Sequence, residues 1–222
     1  MRSRSESDSS TKVDLRELTP ELITYLGKAA YLQLIAFENL SAAVATAPSA
    51  ASKERISRAA SLTLAKQHGL TAEIVRAGQA PGEVMDRYSA AIDSFSDRIA
   101  GNDWFETLIS CHVTTGFIDD FLLRLAEGLP AGSAERVRDV LSADSGAQVI
   151  AAEISAAIDA SPQLASRLAM WGRRLVGDTM LITRYVLEAP AVASDAEARI
   201  EPIFNELIAA HTRRMDALGL TA

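Results

Sequence analysis

Cysteine occurs once in this 222-residue chain, at Cys111, and histidine three times, at His68, His112 and His211. A single thiol closes no intramolecular disulfide, and so few soft ligands exclude a zinc-finger or disulfide-stapled scaffold. Basic charge is also short, with 22 Lys and Arg against 29 Asp and Glu and a formal net charge of −7. The long-range field therefore opposes phosphate backbones and acidic membranes, and nucleic acid is not an expected partner. Long apolar runs are missing as well. The most apolar stretch, Leu22 to Phe37, carries Lys28 and Gln33 and falls short of the roughly 18 to 20 apolar residues that span a bilayer, so no membrane helix is expected. The first dozen residues are Ser-rich and charged with no apolar h-region, so a disordered tail is expected over 1–14, not a signal peptide, and the expected compartment is the cytoplasm. No Gly-x-Ser-x-Gly, P-loop or dinucleotide fingerprint occurs, which removes the common hydrolase, NTPase and Rossmann readings.

What is present is alanine, together with apolar residues at helical spacing and no strand-like alternation, which predicts an all-α protein. Thr19-Pro20-Glu21 is a start signal, with a capping side chain, a preset φ and an acid at the positive end of the dipole. The first helix is predicted from about Pro20 to Ala45, the second from Lys53 to Ala77, and a shorter one from Glu83 to Ile99. Asn102 is the expected cap of a helix from Asp103 to Glu127 that ends at Gly128-Leu129-Pro130. A further helix is predicted over Ala134 to Ile158, another from Ser161-Pro162 to about Leu187, and a last one from Asp195 to Leu218 with a late start or kink at Pro202. Four helices of about 25 residues with short connections make a helix bundle, expected as one domain over 15–222.

Bundles do their chemistry with inward polar side chains. Glu38 shares a mostly apolar stripe with Tyr31, Leu34, Ile35, Ser41 and Ala42, and His68 one with Leu64, Ala65, Ala72 and Val75. Asp120 lies among Val113, Phe117 and Leu123, with Arg124 one turn on as a possible counter-charge, and Asp144 lies among Val137, Leu141, Ala147 and Ala151. One polar residue on each of four helices is the arrangement of carboxylate-bridged di-iron bundles, which also need Glu-x-x-His on two helices. That motif is absent, because Ala65, Ile109 and Ile208 stand three residues before the three histidines.

The blocks Tyr31-Leu-Gln-Leu-Ile-Ala-Phe-Glu38, the helix around His68, Gly116-Phe-Ile-Asp-Asp-Phe121, Ala143-Asp-Ser-Gly146 and Arg167-Leu-Ala-Met-Trp-Gly-Arg-Arg-Leu-Val-Gly177 occur in this order. Together they are similar to the actinobacterial ferritin-like proteins grouped with the tRNA-modifying hydroxylase (MiaE-like), over roughly Thr24 to Glu188. The resemblance implies a ferritin-like four-helix bundle with additional helices and, in metal-bearing members, a di-iron centre for oxygen-dependent hydroxylation. Carried over, Glu38, His68, Asp120 (with Asp119 the alternative register) and Asp144 occupy metal-ligand positions, while Ala65 and Ala147 stand where Glu and His are expected.

Two readings follow. The first is a ferritin-like binding or interaction scaffold with a degenerate metal site, no expected cofactor, and a homodimer as the possible assembly; its remnant polar residues form a buried ion network. The second is a MiaE-like di-iron or mononuclear iron hydroxylase with a non-standard ligand set. An arginine or lysine head among the four candidate residues favours the first reading. The acidic charge argues against a tRNA substrate. Trp171-Gly-Arg-Arg174 is read as a helix face that turns Trp171 inward and pairs or solvates its arginines.

Overall fold

The computed structural model describes residues 18–187 and 194–220, with the side chains of 194–199 left aside. The tail expected over 1–14 lies outside the described residues. Among the described residues there are nine helices and no strand: α1 (Leu22–Thr46), α2 (Ala50–Arg76), α3 (Pro81–Asp86), α4 (Ser89–Ile99), α5 (Trp104–Ala126), α6 (Ala131–Leu141), α7 (Ala147–Ala160), α8 (Pro162–Leu187) and α9 (Ser194–Ala217).

Helices α1 and α2 form an antiparallel hairpin with the most extensive helix interface. Helix α5 runs antiparallel to α1, as the pairs Tyr25 with Leu122 and Trp104 with Ala43 require. The fourth long helix predicted over Ala134 to Ile158 is two helices, α6 and α7, both packed on α2 and α5. The interruption is local: Gly146 adopts φ +71, and the Asp144 carboxylate accepts a hydrogen bond from the Gly146 amide at 2.8 Å. The bundle is thus α1, α2, α5 and a broken α6–α7, with α8 and α9 packed on the α5 side. Pro202 lies inside α9, which runs through it.

Other boundaries shift for identifiable reasons. Thr19 does not cap α1; its hydroxyl donates to the Leu125 carbonyl at 2.9 Å, tying the entry of the bundle to the end of α5. Ser49 caps α2 and so starts it earlier than Lys53. The α5 cap is Asp103, not Asn102: Asp103 accepts from the Glu106 amide, while Glu106 accepts from both the Asn102 amide and its side chain. The stretch read as one helix over Glu83 to Ile99 is α3 and α4. The core these elements enclose is aliphatic, with Tyr25, Phe95, Phe117 and Phe121 as its largest apolar members.

Candidate functional site

Of the four candidate ligands, none lies at the centre of the bundle. Glu38 is exposed, because the inward face of α1 is the one carrying Leu26, Ala29, Gln33 and Leu40. His68 is exposed beside exposed Ala65, and the inward face of α2 runs through Ile56, Ala59, Thr63, Lys66 and Leu70. Asp144 is on no helix; it is the exposed loop residue that caps Gly146. Asp120 is half-buried and bonded to Arg214 of α9, while Arg124 bonds Glu127 and Glu206 instead of Asp120. Among the described residues no three His, Cys, Asp or Glu side chains group as a metal site.

The polar centre is one register away. Lys66 Nζ donates to Asp119 Oδ2 and to the Leu141 carbonyl, each at 2.7 Å, and Gln33 Nε2 donates to Asp119 Oδ1 at 2.6 Å. All three side chains are buried. Each member of the bundle therefore supplies one group: an amide from α1, an ammonium from α2, a carboxylate from α5 and a backbone carbonyl from the end of α6. That carbonyl is the last of α6 and lacks an intrahelical partner, so Lys66 both neutralises Asp119 and caps a helix C-terminus. Burial pushes the Asp119 carboxyl above the ordinary carboxylate range, and Lys66 and Gln33 pull it back. Burial and the Asp119 charge also push the Tyr25 phenol up, keeping it neutral as it donates to the Leu122 carbonyl at 2.7 Å.

A second buried lysine repeats the capping. Lys28 Nζ donates to the Tyr185 and Val186 carbonyls at the end of α8 and lies 4.8 Å from the centroid of the Tyr185 ring and 5.3 Å from that of Tyr88. The Arg167–Gly177 block is structural: Trp171 donates to Ser110 at 2.8 Å, Arg174 lies over the Trp171 ring, and Arg167 pairs with Asp103 and Glu106.

Two histidines carry buried ring nitrogens without a hydrogen-bond partner, although His112 also bonds the Ala147 backbone. His211 on α9 has no partner for either ring nitrogen, and His112 on α5 has none for Nδ1. Burial, then the Arg214 charge, lowers both pKa values, that of His112 to about 4. Below its ordinary pKa near 6.5 an unfolded histidine binds a proton that the folded one refuses. These groups therefore contribute stability that is present above pH 6.5 and lost as pH falls toward 4. Unfolding free energy is expected to drop by about 2 kcal/mol from His112 between pH 7.5 and 5, and His211 adds to the drop. Asp119, with its pKa raised, acts in the opposite sense nearer the carboxylate range. Urea unfolding at the two pH values, with His112→Leu flattening the dependence, checks this.

A protein-family model described as a ferritin-like domain of actinomycetes matches residues 18–196. No curated protein matches the chain.

Proposed function

This chain belongs to the actinomycete ferritin-like domain family, and we propose that within it the protein is a binding or interaction scaffold whose centre is held by an internal ion pair and not by iron. The observation that carries the reading is Lys66 Nζ, 2.7 Å from Asp119 and from the Leu141 carbonyl at the middle of the bundle.

A di-iron centre needs inward carboxylates from four helices and imidazoles from two of them. The inward groups here are an amide, an ammonium, one carboxylate and a backbone carbonyl. An ammonium has three donors and no lone pair, so it repels the cation that the ligands would have to hold. Thr63 and Lys66 stand on the inward face of α2 at the spacing of Glu-x-x-His, and the Thr63 hydroxyl is bonded to the Ala59 carbonyl. These residues do not fit iron, and the MiaE-like hydroxylase reading has no ligand set among them.

Protein purified without chelator and then given ferrous iron anaerobically is expected to hold well under one iron per chain. The double variant Gln33→Glu/Lys66→His, which places an imidazole and a second carboxylate beside Asp119, is expected to gain cobalt(II) absorption in the visible range. About two irons per wild-type chain would overturn the scaffold reading in favour of an oxygenase.

A further inference from the structure

A small cavity of about 40 Å³ lies between α2, α5, α7 and α9, one helical turn from the Lys66–Asp119 pair. Its polar lining is Thr63, His112, Thr115, Ser145 and Arg214, with Cys111 beside them. Two nitrogens of these residues, His112 Nδ1 and Arg214 Nη1, are buried and without a hydrogen-bond partner. Leaving a charged donor and an imidazole nitrogen dry and unmatched is costly, so both call for a bound species. None of the described lining residues is a carboxylate. Asp120 occupies Arg214 through Nη2 and leaves Nη1 over. The Cys111 thiol, pushed up to about 12 by burial, brings no negative charge. Ser145 and Ala147 place the start of the 14-residue α7, the positive end of its dipole, at the same space.

We propose that this cavity is a binding site for one small monovalent anion, chloride or a carboxylate of formate size, held by Arg214, His112 and the Thr115 hydroxyl. Size sets the class. A water needs about 10 to 15 Å³ of such space, so about 40 Å³ takes a species of a few heavy atoms and not a larger metabolite. Sign follows from Arg214 and from the absence of an acid in the described lining. The charged group facing His112 is Arg214 from α9; α7 brings the Ala147 backbone, to which His112 is bonded, and the α2 and α7 linings bring no titratable side chain. A bound anion offsets the Arg214 charge, so His112 takes up a proton on binding and the affinity falls as pH rises. The site is independent of whether the central ion pair excludes iron.

The test is thermal unfolding of the full chain in sodium chloride or sodium formate against sodium gluconate, whose anion is too large for the space, at matched ionic strength and at pH 5.5 and 7.5. Chloride and formate are expected to raise Tm over gluconate, with an apparent affinity several-fold higher at pH 5.5. In His112→Leu the anion-specific rise should disappear. Equal shifts in all three salts, or a full shift in the variant, would overturn the proposal. Should the variant not fold, wild-type crystals grown in sodium bromide decide: an anomalous peak between His112 and Arg214 supports the site, and a water or nothing there refutes it.

Discussion

Lys66→Met is expected to destabilise the protein by about 3 to 5 kcal/mol at pH 7.5, measured by urea unfolding. Methionine matches the length and apolar stem of lysine, so packing changes little. What is lost is the cation bonded to the buried Asp119 carboxylate, together with the donor for the Leu141 carbonyl. Breaking one side of a buried pair strands the other, and Gln33 alone cannot neutralise Asp119. At pH 4.5 the loss should shrink, because burial already favours the protonated Asp119 carboxyl, which carries no unmatched charge. Lys66→Met/Asp119→Leu should recover most of the stability, since replacing both partners by apolar groups removes the desolvation cost of each. The double-mutant cycle is therefore expected to give a coupling above about 2 kcal/mol. Additive losses would mean that the two residues do not depend on each other and that the centre of the bundle is held by packing alone.

The helical class and most element positions were legible because apolar residues recur at helical spacing between Gly and Pro breaks. The direction of each helix face was not. Helix α1 is apolar almost all round, so a stripe through Tyr31, Ile35 and Glu38 looks as inward as the true one through Leu26, Ala29 and Gln33. Glu38 carries the ligand type a bundle metal site needs, whereas Gln33 and Lys28 stand in the sequence as interruptions of an apolar run. They were the signal: a long polar side chain in the most apolar segment of the chain is buried with a partner or does not occur there. The same one-residue ambiguity separates Ala65 from Lys66 and Asp120 from Asp119. At Asp119-Asp120 the sequence offers two adjacent carboxylates, and only packing decides which enters the core and which meets Arg214. Asp144 lies off the helices for a different reason. The apolar pattern continues through 134–158, but Asp144-Ser-Gly146 is a turn, and the short Asx bond to Gly146 outcompetes helix continuation.

That turn carries the second large effect. Gly146→Ala is expected to cost about 4 kcal/mol, while Gly78→Ala costs about 1 kcal/mol, although both glycines hold nearly the same backbone conformation. Gly78 has φ +77 and open space where a Cβ would stand, so only the left-handed strain applies. Gly146 has φ +71 and would place its Cβ 2.6 Å from the Ala59 Cα, a backbone atom of α2 that cannot swing aside. Helix α7 would have to lift from α2 at the point where the bundle's fourth member is broken. Three features share that point: the Leu141 carbonyl that Lys66 caps, the start of α7, and the cavity lined by His112 and Arg214. A destabilised but folded Gly146→Ala should therefore also lose the chloride-specific rise in Tm and show faster hydrogen exchange at the end of α6, whereas Gly78→Ala should keep both near wild type. Equal losses for the two substitutions would show that backbone conformation alone accounts for Gly146 and that its contact with Ala59 yields without cost.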